Sequence, residues 1–290
     1  TEFIYLRDQY LAQNDITDPQ VYDHIQQRFD IDQLIDYFLT EIFFNNRDWP
    51  ANNAKMWRSS SYDNKFRWLF YDLDAAMGKS RYDKPLLNDL LVGESPVTAL
   101  NWKNAFIRTL IKNETFKQQF ISRAKTLLQE TFKAENLYPL VLQMTAEYEG
   151  EMDEHFSRWT NWQSTEEWQS NVSAHITRFV FLRSCELETQ LVDFFGIEPF
   201  LNCDTKELSE GNIYPNPTNG IINIVLDIDQ ESLYFCRVYN PLGQLVQHQD
   251  LLLQPTGSAL DLSQLPAGSY YLSLLDHRMN SVMTKQVIIQ

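Results

Sequence analysis

The sequence has 290 residues, 43% hydrophobic and 13% aromatic, with a formal net charge of −15. That is enough apolar material for one large domain and a smaller one, and it excludes a disordered chain. The charge repels nucleic-acid phosphates and anionic lipid headgroups, whose binding depends on clustered Lys and Arg, so nucleic acid is not an expected partner. No apolar run reaches the length of a transmembrane helix, so no transmembrane segment is expected. Three cysteines, Cys185, Cys203 and Cys236, are too few and too far apart for a zinc knuckle or a disulfide scaffold. One bridge from Cys185 to Cys203 and three small buried thiols are the two readings left. No secretory leader follows Thr1, so the chain reads as a fragment or a processed product.

In chain order, the first strong periodicity is "IDQLIDYFLTEIFF". Ile31, Leu34, Ile35, Phe38, Leu39, Ile42 and Phe43 recur at three- and four-residue steps and make one apolar stripe, as a helix entering a core requires. It runs straight into "NNRDWPANN", Asn45 to Asn53. Such a segment forms an ordinary turn when Asn and Asp side chains bond their own backbone. It also has the composition of a loop that presents a catalytic carboxylate. Two aromatic runs follow, "AKMWR" and "KFRWLFYDLD", separated by "SSSYDN", which signals a hairpin.

Helical periodicity returns in "AFIRTLIKN", "FKQQFISRAKTLLQETF", "LYPLVLQMTAEYEGEMDEHFSRW" and "SAHITRFVFLRSCELETQLVDFFG". The acidic run from Glu147 to Glu154 reads as a solvated helix face. His155 and His175 have no second histidine at ligand spacing and read as core or surface side chains. Trp159, Trp162 and Trp168 suit an interhelical core better than a sugar platform.

Near residue 200 the chain changes character. All seven tryptophans lie at or before Trp168, while five of the nine glycines and five of the eleven prolines fall in the last 90 residues. "LNCDTKELSEGN", Leu201 to Asn212, is polar and suits an exposed linker. After it, "IINIVLDI", "YFCRVYN", "QLVQHQDLLL", "SYYLSLLD" and "KQVIIQ" read as strands, punctuated by "YPNPTNG", "NPLGQ" and "LPAGS". The expected fold is multidomain: a mainly α domain with a small β-hairpin over residues 1–200, a linker over 201–211, and a small all-β, immunoglobulin-like sandwich over 212–290.

Asp48, Asn53 five residues on, a hairpin, and then Asp72 and Asp74 form an ordered set. Phosphoryl transfer uses such groups: an aspartate accepts the proton of the attacking hydroxyl, and an asparagine oxygen with a second aspartate holds the metal that bridges the nucleotide phosphates. Protein kinases carry them as H-R-D-x-x-x-x-N, a hairpin, and D-F-G. With "NRDWPANN", "FRWLFYDLD", the later "EHFSRW", Trp168 and Arg183, residues 1 to 197 resemble the CotH kinase family of atypical kinases. The resemblance implies a kinase-like C-terminal lobe, ATP, Mg²⁺ or Mn²⁺, and transfer to Ser or Thr of a protein. It makes Asp48 the catalytic aspartate, Asn53 a metal ligand, Asp72 the principal metal-binding aspartate, and Asp74 a further candidate in the place of the D-F-G glycine.

Asn46 stands where the H-R-D histidine would be, and Pro50 where many kinases carry a lysine. No lysine precedes Lys55 and no glycine precedes Gly78, so the nucleotide-covering N-terminal lobe is expected upstream of Thr1, and this piece alone is expected to be inactive. "IYPNPTNGIINI", "VYNPLGQLV", "LDLSQLPAGSYYLSL" and "KQVIIQ", over residues 212 to 290, resemble the type A C-terminal sorting domain of the type IX secretion system. That implies the type IX machinery as partner and a secreted or outer-membrane-surface location in a Gram-negative bacterium. A non-catalytic surface adhesion or structural protein on the same scaffold is the rival reading. A glycosidase using Asp48 and Asp72 as its carboxylate pair is a distant third.

Overall fold

A computed structural model describes residues 2–46, 48–50, 52–77, 82–92, 102–159, 164–172, 175–176, 178–201, 203, 211–276 and 281–290. Arg47, Gly78 and Trp162, which the sequence singles out, lie outside the described residues, as does most of the expected linker. The chain divides into two compact units, Thr1–Leu201 and Asn202–Gln290.

The first unit is helical. Helical turns over Glu2–Gln13 precede α1 (Pro19–Gln26) and α2 (Ile31–Phe44). Both helices start where an aspartate satisfies an otherwise orphaned backbone N–H. Asp18 accepts from Gln20 N at 2.8 Å, and Asp30 accepts from Gln33 N at 3.2 Å. Helices α3 (Leu86–Leu91), α4 (Trp102–Leu110), α5 (Glu114–Thr126), α6 (Ala134–Glu149), α7 (Met152–Arg158), α8 (Thr165–Val172) and α9 (Arg178–Phe195) complete the unit.

Helix α2 lies deepest, with Leu34, Phe38, Ile42 and Phe43 buried in one core with Phe29, Trp68, Phe106, Phe132 and Phe179. Phe43 stacks on Phe132 with ring centroids 4.2 Å apart and meets Phe179 edge-on at 5.9 Å. The expected single helix through "LYPLVLQMTAEYEGEMDEHFSRW" is two, broken at Gly150, the residue type that loses most backbone freedom in a helix interior.

The hairpin is present but short. Strands β1 (Lys55–Trp57) and β2 (Arg67–Leu69) pair antiparallel, Met56 opposite Trp68. The longer strand expected through "YDLD" does not form, because Asn53 and Asp72 adopt left-handed backbone (φ +54° and +60°) and end the extension on both sides. β2 is clamped to α2 by Gln33, whose amide donates to the Trp68 carbonyl and accepts from the Trp68 N–H, both at 2.9 Å.

The second unit is all β. A three-stranded sheet, β3 (Asn212–Tyr214), β4 (Ile221–Val225) and β7 (Ser258–Asp261), runs in the order β3-β4-β7; β5 (Ser232–Tyr239), β6 (Leu245–Leu253), β8 (Gly268–Leu275) and β9 (Ser281–Ile289) run β6-β5-β8-β9. All ladders are antiparallel. Ile222, Ile224 and Leu260 from the first sheet share a core with Val238, Leu253, Leu272 and Val287 from the second, as period-two alternation requires. Gly220 is obligatory at its turn: φ is +117°, and a Cβ there would sit 2.7 Å from Ser263 Cα. Cys185 and Cys203 are disulfide-bonded and Cys236 is a buried free thiol, which favours the bridged reading and an oxidising compartment.

Candidate active site

Everything in the candidate site hangs on the C-terminal end of α2. Asn45 stops the helix in left-handed conformation (φ +53°), a role few residues other than Gly and Asn take. The last carbonyls of the helix have no partner within it. Arg183, fully buried on α9, satisfies two of them, its Nη2 donating to Ile42 O at 2.7 Å and its Nε to Phe43 O at 2.8 Å. Its Nη1 donates to the Tyr82 carbonyl at 2.6 Å, so one guanidinium joins α9, α2 and the segment before α3. Burial lowers its pKa to about 10, with Glu186 and Asp83 opposing, which leaves it charged at neutral pH. The next helix carbonyl, that of Phe44, accepts from Met77 N at 2.8 Å and pins the end of the Asp72 loop.

A buried polar network links the two loops. Glu41 and Asn46 are fully buried. Asn46 Nδ2 donates to Glu41 Oε2 at 3.0 Å and reaches the Asp72 carbonyl at 3.4 Å, linking the loop after α2 to the loop after β2. Trp49, the residue after Asp48, is buried and donates its indole N–H to the Tyr37 hydroxyl at 2.7 Å. The Trp49–Pro50 peptide is cis. Asp48 is exposed and immediately precedes this anchored tryptophan, and its carbonyl accepts from Asn52 N at 2.7 Å to close the turn.

Asp48, Asp72 and Asp74 are all exposed, and they bear on one another. The Asp72 carboxyl is pushed above its ordinary value first by partial desolvation, then by a hydrogen bond with the Asp74 carboxyl and by the charges of Asp74 and Asp48; Lys55 acts the other way. Lys55 opens β1 with its ammonium 4.7 Å from the ring centroid of Tyr71. Asn53 is half-buried two residues before β1, and among the described contacts it bonds to none of the three aspartates.

Among the described residues no three Asp, Glu, His or Cys side chains gather closely enough to hold a metal by themselves. A magnesium ion does not need them to, since it commonly takes one or two carboxylates and completes its shell with water and substrate phosphate. Hard carboxylate and amide oxygens are the donor type it prefers, and the Asp72–Asp74 like-charge pair is relieved by a cation.

Sequence reasoning does not single out Glu41, Tyr37 or Lys55. The signal for Glu41 is its spacing: it lies three residues after Phe38 and seven after Leu34, on the apolar stripe, where a carboxylate is out of place.

His155 and Trp159 are exposed, and the acidic run around Gly150 is exposed apart from half-buried Met152. No described helix is long and apolar enough to cross a membrane. Residues 3–185 match the family model described as CotH kinase protein, and residues 212–290 match the one described as secretion system C-terminal sorting domain. No curated protein and no solved structure matches the chain. The sorting domain supports a partner in the secretion machinery and a secreted or cell-surface location. The chain thus belongs to the CotH kinase protein family, fused to a type IX sorting domain.

Proposed function

We propose that this is a secreted protein kinase of the CotH type that transfers the terminal phosphoryl group of ATP to Ser or Thr of a protein, its helical unit being the C-terminal lobe of a kinase-like fold. The observation that carries the reading is the convergence of the Asp48 loop and the Asp72–Asp74 loop on one helix end, with their carboxylates bearing on one another and Lys55 beside them. Asp48, exposed beside a fixed Trp49, accepts the proton of the attacking hydroxyl. Asp72, with Asp74 and the Asn53 amide oxygen, holds Mg²⁺ or Mn²⁺. Such an ion, when bound, neutralises charge on the phosphate oxygens. Lys55 offsets the remaining negative charge of the site. After export by the type IX machinery, the protein is placed at the outer-membrane surface of a Gram-negative bacterium.

The test is phosphate transfer from labelled ATP by the full-length parent protein, with metal-dependent ATP binding measured in parallel, for wild type, Asp48→Ala and Asp72→Ala. Transfer that is lost in both variants, with ATP binding weakened in Asp72→Ala, supports the assignment. Wild type that neither binds ATP with metal nor transfers phosphate rejects it. A second reading, a non-catalytic surface adhesion protein, is favoured by Leu140, Met144 and Tyr148, which lie at four-residue steps on α6 and are each more than half exposed (54%, 55% and 55%).

A further inference from the structure

Two of the buried oxygens without a hydrogen-bond partner among the described residues belong to side chains that already touch: Glu41 Oε1 and Asn46 Oδ1. Their other polar atoms are joined by the 3.0 Å bond from Asn46 Nδ2 to Glu41 Oε2. Away from water, two acceptors left unpaired destabilise the fold, and such groups in native proteins call for a reason. An ionised glutamate only accepts, so neither oxygen helps the other. A proton on Oε1 changes both at once, because it makes Oε1 a donor and gives Asn46 Oδ1 a bond to accept. A carboxylic acid and a primary amide are complementary in this way, each with one donor and one acceptor for the other. The second N–H of Asn46 stays free for the Asp72 carbonyl.

We propose that Glu41 is kept as the neutral acid, doubly paired with the Asn46 amide, and that this pair is the positioning element that fixes the Asp72 loop against the loop carrying Asp48. The assignment to a site rests on the reading of Asp48 and Asp72 above; the pairing does not depend on activity. Burial also favours the neutral form, raising the Glu41 carboxyl to about 7, while the Asn46 bond and the neighbouring Tyr37 hydroxyl act the other way. The side chains that bear on it are Asn46 from the following loop and Tyr37 on its own helix; Asn46 in turn reaches the Asp72 carbonyl, and Trp49 bonds the Tyr37 hydroxyl. Tyr71 acts on Tyr37 from one layer further out. Arg183, packed from α9, directs its donors to the carbonyls of Ile42 and Phe43 rather than to this carboxyl.

The test is an NMR pH titration of the chain with isotope-labelled glutamate and backbone amides, for wild type, Glu41→Gln and Asn46→Leu. Glutamine keeps both bonds, its amide replacing the acid. The expected result has one glutamate carboxyl resonance, missing from Glu41→Gln, at the neutral-acid position up to about pH 6. It titrates near neutrality, and the Asp72 amide moves with it. In Glu41→Gln that movement disappears and only the titration of the Asp72 carboxyl itself remains. In Asn46→Leu the Asp72 amide no longer follows Glu41.

A Glu41 carboxyl already ionised at about pH 6, or an Asp72 amide that titrates identically in wild type and Glu41→Gln, overturns the proposal. Should Asn46→Leu not fold, the Glu41→Gln comparison decides alone. Broadening of the Asp72 amide by Mn²⁺ in the same samples tests the metal reading separately. Glu41-dependent titration without broadening rejects the cation site and leaves the pairing standing.

Discussion

Among the described residues of the helical unit five non-glycine residues hold positive φ, and three of them, Asn45, Asp72 and Met77, are tied to the C-terminal end of α2 or to Asn46 just beyond it. In the β unit every described residue with positive φ is a glycine: Gly220, Gly243 and Gly257. Buried polar side chains divide the same way. Glu41, Asn45, Asn46 and Arg183 cluster at that helix end, whereas Thr218 and Asp276 are the described counterparts in the β unit. Turns in the β unit are made by the residue type that makes them without strain. The helical unit holds side chains where their backbones are disfavoured, at a cost of about 1 kcal/mol or more each, and such positions collect at functional sites.

Arg183→Leu attacks the contrast hardest. It removes a donor from the carbonyls of Ile42, Phe43 and half-buried Tyr82, of which Ile42 O keeps the Asn45 N–H at 3.2 Å, and with about 1–3 kcal/mol per unpaired buried acceptor a loss of about 2–4 kcal/mol is expected. Denaturation followed by tryptophan fluorescence reads it, because all seven tryptophans lie in the first unit. A loss below about 1 kcal/mol would remove Arg183 as the anchor of the site.

The next effect is one of pH. Glu41 has its pKa raised from 4.5 to about 7 on folding, so the folded state keeps a proton that the unfolded state releases. Its contribution is complete below about pH 4.5 and is lost as pH rises through about 7. The scale is on the order of 3 kcal/mol at most, at about 1.4 kcal/mol per pH unit. Urea titrations at a series of pH values should show stability falling over this window in wild type and a flatter profile in Glu41→Gln. Parallel profiles would assign the slope to other groups.

Gly220→Ala moves the damage to the other unit. A methyl group 2.7 Å from Ser263 Cα at φ +117° should cost the β unit about 2–3 kcal/mol by calorimetry. The tryptophan transition should stay in place; if it shifted equally, the two units would not be separable in stability.

Smallest and of opposite sign is Asp72→Gly. Glycine accepts φ +60° freely, so stability should rise by about 0.5–1 kcal/mol while metal-dependent ATP binding disappears. A destabilised variant would mean that the Asp72 side chain supports the fold.

Much of the architecture is legible before folding because its signals are periodic. The stripe from Ile31 to Phe43 marks α2, and alternation in "IINIVLDI" and "SYYLSLLD" marks strands β4 and β8. Order along the chain also brings Asp48 and Asp72 into one argument, since a short hairpin returns the chain to its starting point. The details that shape the site are not periodic. Left-handed backbone at Asn53 and Asp72 truncates strands whose composition favours extension. The position of Glu41 on the apolar stripe marks it as unusual, but the partners that decide its role, Asn46 and Tyr37, are not written in that spacing, and the Gln33 clamp on Trp68 joins residues 35 apart.

The most direct measurement is an EPR titration of Mn²⁺ into the chain with and without ATP, for wild type and Asp72→Asn. The account predicts ATP-enhanced Mn²⁺ binding at one site in wild type and at least a tenfold weaker association, about 1.4 kcal/mol, in Asp72→Asn. Wild type that binds no Mn²⁺ in the presence of ATP, or an Asp72→Asn chain that binds it equally well, would contradict the assignment of these loops to phosphoryl transfer.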